Sequence, residues 1–273
     1  MRLPKIINRA QLSISEEISK FEPPDCRVTV FAPHPDDEVI GAFSLLTRFQ
    51  AACFLVFVTD GAPFKLGKNR MPLRRRRQRE SNQVAALLRI PSDKILRLGI
   101  PDQDTTFQLP RLIAVASKVL RELRPDVVII PAYEGGHPDH DSTAFSVHRA
   151  ANLLGDDAPL LIEMCLYHGC NSQFVTGQFL DYSGALDCFT IELSTIEQYV
   201  KQVAFTIYRS QAKVLQYFPT DIERFRLAPK YDFLSPPRRG PLFYERFDWG
   251  VSGAEWRALA ARVSSENHVG VTP

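Results

Sequence analysis

The stretch Val28-Thr29-Val30-Phe31-Ala32-Pro33-His34-Pro35-Asp36-Asp37-Glu38 decides the fold predicted for this chain. It begins as an apolar, β-rich run and ends in an imidazole followed by three carboxylates. A short apolar run closed by prolines is typical of a buried strand, and the residues from Glu38 to Phe49 are typical of a helix. We therefore expect His34, Asp36 and Asp37 in a turn at the carboxyl end of a strand, where open α/β sheets bind their ligands.

The polar end of this stretch has two interpretations. Buried carboxylates are costly unless they are paired or bound to a metal, so two of them beside a histidine favour a divalent cation. Nitrogen and oxygen ligands together suit an ion such as zinc. Taken alone, the same residues are equally compatible with a helix cap, in which Asp36 or Asp37 is the N-cap and His34 is incidental.

A second segment of the same kind lies about a hundred residues further along the chain. The apolar run Val127–Ile130 is followed by a turn that contains His137, His140 and three acidic residues. Between and around the two segments, apolar runs alternate with helical patterns in four strand–helix units. Right-handed crossovers leave the carboxyl ends of such strands on one edge. The sequence thus predicts an α/β fold, a Rossmann-like and mostly parallel sheet with helices on both faces, and both polar turns on one edge.

The length of the chain allows one large α/β domain or two small ones, and the absence of a low-complexity linker in the first 220 residues favours one. The 273 residues contain 45% apolar residues, which is ordinary for a globular protein with a sizeable core. We predict a single domain over residues 1–273, with a core at about 26–155. Residues 156–273 are expected to add strands, a long helix from Ser194 to Phe218 and a C-terminal cap. An amphipathic segment, Ser13 to Phe21, is predicted to lead into the first strand as a helix.

Several classes of protein are disfavoured. The net charge of +2 gives no reason to expect nucleic acid as a partner. The five cysteines are an odd number without a Cys-x-x-Cys pair, which indicates reduced thiols rather than a disulfide scaffold. No secretory signal is recognisable, and no apolar stretch approaches the roughly 18 residues of a membrane span. We predict a cytoplasmic location, and a homo-oligomer is compatible with the sequence.

Basic residues are concentrated between the second and third predicted strands. The segment Ala62 to Met71 lacks periodicity and is expected to be a mobile loop that could recognise substrate. Arg74 to Arg77 open a predicted helix, Leu73 to Leu88, and a charge run of this kind is usually a solvated face. Alternatives stay open: the run could hold an acidic substrate group, and Arg77 and Glu80 could form either an inward ion pair or a plain surface contact three residues apart.

The two histidine turns together carry a resemblance to a known family. His34-Pro35-Asp36-Asp37-Glu38 and His137-Pro138-Asp139-His140 match, without a mismatch, the paired signatures of the PIG-L/LmbE family of zinc-dependent N-deacetylases. The resemblance implies that His34, Asp37 and His140 are zinc ligands, with Fe²⁺ as the alternative ion in the cell. One departure is Tyr208, which stands where the family has a histidine, so the function of that histidine is in doubt here.

The same resemblance implies roles for the remaining polar residues. Asp36 matches the family's general base, and His137 matches the histidine that stabilises the tetrahedral intermediate and acts as an acid. Glu38 and Asp141 would orient the ligands, as metal sites generally require. Asp102, in the Pro-Asp turn after the third strand, matches an aspartate that contacts the sugar, although a simple turn aspartate is an equally good interpretation.

The function implied is hydrolysis of the acetamido group of an N-acetylglucosamine-type sugar or glycoconjugate. A competing interpretation is a non-catalytic Rossmann-like module that binds a nucleotide or a sugar. A dinucleotide site needs a Gly-x-Gly-x-x-Gly turn after the first strand, and this chain has only Gly41 well inside the following helix. A sugar-binding or metal-binding protein without catalysis would bind zinc but release no acetate.

Overall fold

The computed structural model describes residues 26–171, 173–182, 185 and 188–266. The predicted lead-in helix Ser13 to Phe21 lies outside the described residues. The strands are β1 (Val28–Ala32), β2 (Cys53–Pro63), β3 (Ile95–Asp102), β4 (Val127–Pro131), β5 (Leu160–Met164), β6 (Tyr167–Cys170), β7 (Gln173–Thr176), β8 (Phe189–Glu192) and β9 (Ile222–Leu227). The α-helices are α1 (Asp37–Gly41), α2 (Phe43–Phe49), α3 (Arg70–Leu87), α4 (Leu109–Leu123), α5 (Pro138–Asn152), α6 (Thr195–Ile207), α7 (Ala212–Leu215) and α8 (Gly253–Glu266).

Seven of these strands form one sheet in the order β3-β2-β1-β4-β5-β9-β8. The first five in that order are parallel, and β9 runs antiparallel to both β5 and β8. β6 and β7 form a separate antiparallel hairpin. The predicted α/β fold with a mostly parallel sheet is therefore confirmed.

The strand order reverses between β1 and β4, the two strands that lead into the histidine turns. β1 pairs with β2 on one side and with β4 on the other, and Val28 lies opposite Val127 in the register. In open α/β sheets, the crevice outside the strand ends at such a switch point is where ligands bind. The two histidine turns therefore meet at this crevice, as the strand pattern predicts.

Helices cover both faces of the sheet because alternate strand residues point to opposite sides. Val28 and Val30 of β1 pack in one apolar cluster with residues of α1, α2, α3 and α6. Phe31 packs in a second cluster with residues of α4 and α5 on the other face. α8 adds a third cluster against α4 and α5, in which Trp256 is 1% exposed.

The helix predicted from Glu38 to Phe49 is interrupted between α1 and α2 by a buried ion pair. Lys201 Nζ donates to the carbonyl oxygen of Ile40 at 2.9 Å and to a carboxylate oxygen of Glu223 at 2.7 Å. The Glu223 carboxylate also accepts from the backbone N–H groups of Phe43 at 3.0 Å and Ser44 at 2.9 Å. The pair thus satisfies the carbonyl of one helix end and the N–H groups of the next.

Three predicted segments differ from the structure. The predicted long helix Ser194 to Phe218 is divided, since α6 ends at Ile207 and α7 begins at Ala212. The predicted loop Ala62 to Met71 contains a 3₁₀ helix, Phe64–Asn69, and α3 begins at Arg70. α5 begins at Pro138 rather than near Ser142, because proline is favoured in the first turn of a helix.

Candidate metal centre and substrate cavity

The three predicted ligands, His34, Asp37 and His140, bring their donor atoms together. Nδ1 of His34 lies 3.1 Å from Oδ2 of Asp37. Nε2 of His140 lies 3.3 Å from the same carboxylate oxygen and 3.3 Å from Nδ1 of His34. All three side chains are buried. Residues 106 positions apart in the chain therefore present one small triangle of nitrogen and oxygen atoms.

This triangle has the dimensions of one face of a tetrahedral zinc site. Zinc holds nitrogen and oxygen donors at about 2.0–2.1 Å, so its donors lie about 3.3–3.4 Å from one another. The observed sides of 3.1, 3.3 and 3.3 Å agree with that spacing. Two imidazoles and one carboxylate also form a donor set typical of catalytic zinc. The residues present therefore fit the ion that the sequence resemblance implies.

The other ring nitrogen of His34 is held by a carboxylate that sequence reasoning missed. Nε2 of His34 lies 3.0 Å from Oδ2 of Asp139, which is completely buried. Asp139 also accepts from the backbone N–H groups of Gln103 at 2.7 Å and Thr105 at 3.2 Å. A proton on Nε2 leaves the lone pair of Nδ1 free for a metal, which is the usual arrangement behind a ligand histidine.

A second group of donors, His34, Asp102, His137 and Asp139, is also close enough to surround an ion. Its atoms are more widely spaced, since Nε2 of His137 lies 3.7 Å from Asp102 and Nδ1 lies 3.8 Å from Asp139. The oxygens of Asp139 are also occupied by the hydrogen bonds already described. The triangle of His34, Asp37 and His140 is therefore the better metal site.

The electrostatics of the triangle favour a negatively charged Asp37 and a positively charged His34. Burial disfavours the charged form of Asp37, but the neighbouring His140 and His34 hold its pKa well below the usual range. Burial lowers the pKa of His34, yet the carboxylates of Asp102, Asp139 and Asp37 raise it well above its ordinary value overall. An ionised Asp37 is the form that binds a metal.

Asp36 lies beside the triangle in a strained conformation. Its φ of 134° falls in a region that residues with a Cβ rarely adopt. Its backbone N–H donates to Oε2 of Glu38 at 2.8 Å, and its Oδ1 lies 3.1 Å from Nη2 of Arg77. Burial raises the pKa of Asp36 to about 8, although Arg77 opposes this increase. Strain of this kind is typical of functional sites, where surrounding contacts hold the residue in place.

The predicted solvated face of Arg74 to Arg77 is only partly correct. Arg77 is 4% exposed and donates to the carbonyl oxygens of Pro35 at 2.6 Å and Gly61 at 3.2 Å, in addition to its contact with Asp36. The predicted pairing of Arg77 with Glu80 is wrong. Arg77 shares a helix face with the buried Val84, seven residues further on, and this periodicity was the available signal for its burial.

The other two acidic partners of Arg74 to Arg77 lie away from the triangle. Nε of Arg74 lies 3.2 Å from Asp60, and Nε of Arg76 lies 3.0 Å from Glu80. Glu80 also accepts from the backbone N–H of Ser210 at 3.0 Å. The first turns of α3 are therefore attached to neighbouring loops by ion pairs and hydrogen bonds.

His137 is the N-cap of α5 and faces the cavity. Its Nδ1 accepts from the backbone N–H of Asp139 at 3.1 Å, which places the proton of the neutral ring on Nε2. Burial, followed by the charge of His34, lowers the pKa of His137 to about 3. Its ring lies 4.4 Å from that of His34 and 4.4 Å from that of Trp249, measured between centroids.

Glu38 and Asp141 accept hydrogen bonds from the backbone of the two turns and not from the imidazole of a ligand histidine. Glu38 accepts the backbone N–H of Asp36 with one oxygen and the hydroxyl of Tyr208 with the other. Burial raises the pKa of Glu38 to about 7. Asp141 accepts from the backbone N–H groups of Glu134 at 3.2 Å and Gly135 at 3.1 Å. Tyr208, in place of the family histidine, thus fixes the strained turn through Glu38.

We expect the Tyr208→Phe variant to lower the free energy of unfolding by about 1–3 kcal/mol, because it leaves one buried oxygen of Glu38 without its donor. Urea denaturation measures this change. The matched control is Tyr199→Phe in α6, since Tyr199 is 67% exposed and should tolerate the loss of its hydroxyl. Equal stability of Tyr208→Phe and the native chain would contradict a supporting role for this hydrogen bond.

A cavity of about 360 Å³ opens in front of these groups. His34, Asp36, Asp37, Asp102 and His137 line its floor, together with Arg77. Asp102 lies at the end of β3, and its Oδ1 is buried 3.4 Å from Nε2 of His34 without a hydrogen-bond partner. Burial raises the pKa of Asp102, but His34 and then His137 hold it below its usual range overall.

Comparisons with known proteins agree on the family of this segment. Residues 29–151 match the PIG-L family model, described as GlcNAc-PI de-N-acetylase. A similar protein is the probable N-acetyl-alpha-D-glucosaminyl L-malate deacetylase 2 of Bacillus subtilis strain 168. It is 26% identical over 153 residues, which are 51% of this chain and 67% of that protein.

Solved structures show the same fold. The N,N'-diacetylchitobiose deacetylase from Pyrococcus horikoshii has a TM-score of 0.54 at 18% identity, with 80% of this chain and 94% of that chain covered. The conserved protein TT1542 from Thermus thermophilus has a TM-score of 0.51 at 25% identity, with 70% and 82% covered. Every histidine and carboxylate of the two donor groups lies within 29–151. Residues 29–151 therefore match the PIG-L family, and this segment holds the entire candidate metal centre.

Proposed function

We propose that the chain is a zinc-dependent deacetylase that hydrolyses the acetamido group of an N-acetylglucosamine-type sugar or glycoconjugate to a free amine and acetate. The observation that carries the proposal is the triangle of His34, Asp37 and His140 beside Asp36 and His137 on one cavity. Zinc in this triangle supplies a Lewis acid that lowers the pKa of a water to about 7 and polarises the acyl carbonyl.

Asp36 is the general base in this proposal. Its carboxylate lines the cavity next to Asp37 but makes none of the contacts of the triangle, so it is free to accept a proton from the attacking water. Arg77 pairs with this carboxylate at 3.1 Å, and Glu38 accepts the backbone N–H of Asp36, so the side chain and the backbone are each held by one partner. The same carboxylate can then pass the proton to the departing amine, as positioned acid–base groups do.

His137 stabilises the negative oxygen that develops on the acetyl carbon. Its Nδ1 is engaged by the N–H of Asp139, so the remaining nitrogen, Nε2, presents an N–H. A neutral donor fixed in this way provides the oxyanion stabilisation that acyl-transfer sites use. In this scheme His137 donates a hydrogen bond, and the protonated acid that the resemblance implies is not required.

Asp102 is the proposed contact for the sugar. Its Oδ1 makes no hydrogen bond, although Nε2 of His34 lies 3.4 Å away, and it is an acceptor on the floor of the cavity, where a sugar hydroxyl would satisfy it. A buried acceptor without a partner is costly, so binding a hydroxyl there is favourable.

Two observations favour a deacetylase over a non-catalytic nucleotide- or sugar-binding module. The matching family and the similar protein of Bacillus subtilis are both described as de-N-acetylases or deacetylases. The positions proposed for the base and the oxyanion donor are also occupied by groups capable of those roles. Cytoplasmic location, absence of a nucleic-acid partner and homo-oligomer formation stay predictions. Among the described residues, no helix is long and apolar enough to cross a bilayer.

The test is acetate release from a panel of N-acetylglucosaminyl compounds by the zinc-loaded chain, with metal analysis of the same sample. We expect acetate and amine in equal amounts, and loss of both after treatment with a chelator. Release should return when zinc or Fe²⁺ is added, and the two ions can be compared directly. Stoichiometric zinc without acetate from any compound would favour the non-catalytic alternative.

A further inference from the structure

The cavity has an aromatic wall that the metal chemistry does not require. Trp249 lies 4.4 Å from the ring of His137, and Phe247 stacks on Trp249 at 4.6 Å with an interplanar angle of 18°. Phe243 follows at 5.3 Å from Phe247. We call the following cavity-lining rings the aromatic wall: Tyr167, Phe174, Tyr217, Phe218, Phe243, Phe247 and Trp249.

The wall continues from the metal centre to the solvent. Phe174 stacks on Phe243 at 5.3 Å and lies 5.9 Å from Tyr217, measured between ring centroids. Tyr217, the last ring of this series counted from His137, is 61% exposed, and Phe247, which stacks on Trp249, is 43% exposed. Exposed apolar side chains that adjoin one another mark binding surfaces more often than isolated ones do. The wall therefore offers an apolar path for a group attached to the reacting sugar.

The wall and the metal centre come from different parts of the chain. Its seven rings all lie between Tyr167 and Trp249, after the segment 29–151 that matches the family. The β6–β7 hairpin supplies Tyr167 and Phe174, and the stretch before α8 supplies Phe243, Phe247 and Trp249. The aromatic wall is thus supplied by residues outside the segment that matches the family model.

Positive charge is scarce in the same cavity. Apart from the histidines, Arg77 is the single cationic side chain among the described residues that line it. Asp36 balances its charge at 3.1 Å, and two backbone carbonyls accept hydrogen bonds from its guanidinium. Its Nε packs against Gly61, where an added Cβ would come within 2.4 Å. Inside the cavity an anionic substituent would therefore meet carboxylates, apolar rings and an arginine that is already paired, while Arg246, which lies over the ring of Phe243 at 5.7 Å, is outside the lining.

We propose that this cavity selects N-acetylglucosaminides whose aglycone is neutral and apolar, preferably aromatic, and disfavours those whose aglycone is anionic. The inference rests on the proposed deacetylase function and specifies its substrate class. The volume of about 360 Å³ is within the range of about 300–1,000 Å³ typical of small-molecule sites. The sugar would occupy the floor near Asp102, and the aglycone would lie along the aromatic wall.

Three glycosides that share one sugar test this selectivity in the zinc-loaded chain: the methyl, benzyl and 4-carboxybenzyl N-acetylglucosaminides. We expect kcat/KM for the benzyl compound to exceed that for the methyl compound about tenfold or more, because a ring is removed from water. The 4-carboxybenzyl compound has the same ring plus one negative charge and should lose about tenfold relative to benzyl. Equal or higher activity on the 4-carboxybenzyl compound would overturn the proposal.

A matched pair of variants tests whether the aromatic wall causes the preference for the benzyl compound. Phe247→Ser should lower the ratio of benzyl to methyl kcat/KM at least about threefold. Phe107→Ser is the control, since Phe107 is 55% exposed and does not line the cavity, and it should leave the ratio unchanged. An unchanged ratio in Phe247→Ser would show that the aglycone does not follow this path.

Failure of the proposed function can be separated from failure of this inference. If the native chain releases no acetate from any of the three compounds, the deacetylase proposal fails. Titration calorimetry with the zinc-loaded chain then decides the selectivity without turnover. Tighter binding of the benzyl than of the 4-carboxybenzyl compound supports the apolar cavity, and equal or weaker binding overturns it.

Discussion

Replacement of Asp36 by asparagine is expected to lower kcat for acetate release at least about a hundredfold while the zinc content stays unchanged. Asparagine preserves the size of the side chain and an oxygen for Arg77, but it cannot accept the proton of water. Asp36 also makes none of the contacts within the triangle of His34, Asp37 and His140. Measurement of kcat together with zinc per chain therefore distinguishes the loss of a general base from the loss of a zinc ligand.

The control for Asp36→Asn is Asp60→Asn. Asp60 is another arginine-paired carboxylate, 2.6 Å from Arg70, and it does not line the cavity. Its substitution should leave both kcat and zinc content close to those of the native chain. Loss of zinc in Asp36→Asn would instead show that Asp36 and Asp37 have exchanged the roles proposed for them.

Replacement of His140 by alanine is expected to remove most of the bound zinc and, with it, acetate release. Nε2 of His140 supplies one of the three corners of the triangle, 3.3 Å from each of the other two. The remaining His34 and Asp37 would leave two protein ligands, fewer than the three that catalytic zinc sites normally provide. Zinc per chain is measured after dialysis, and activity is measured in the same sample.

His148→Gln is the matched control on the same helix. His148 lies two turns after His140 in α5, where its ring contacts Tyr231 and Phe233 rather than the metal centre. This variant should retain zinc and activity. Native zinc content in His140→Ala would count against the assignment of His140, and the wider donor group around Asp102 and Asp139 would then be the site to test.

The position of the site could be predicted from the sequence because it follows from the order of the strands, and the resemblance to the family supplied the choice of ligands. Two polar turns after apolar strands must share an edge when the strands are parallel, and His34, Asp37 and His140 do share one. The break between α1 and α2 had no such signal. It depends on Lys201 and Glu223, which come from elements that are distant in the chain.

Residues that act through others were harder to predict. Asp139 lies between the two histidines of its own motif, yet it contacts Nε2 of His34, 105 residues away. Arg77 is one of four consecutive arginines, and only its position on the buried face of α3 distinguishes it. The aromatic wall combines a hairpin, the region of α7 and the stretch before α8, so only tertiary structure brings its rings together.

The position of the metal centre between the two helical layers has a thermodynamic consequence. His34 and Asp37 belong to the turn that leads into α1 on one face of the sheet, and His140 belongs to α5 on the other. An ion held by all three cross-links the layers and binds only the folded chain. At a free concentration a thousand times its dissociation constant, such an ion adds about 4 kcal/mol to the free energy of unfolding. The melting temperature and the midpoint of denaturant unfolding should therefore increase with the concentration of free metal.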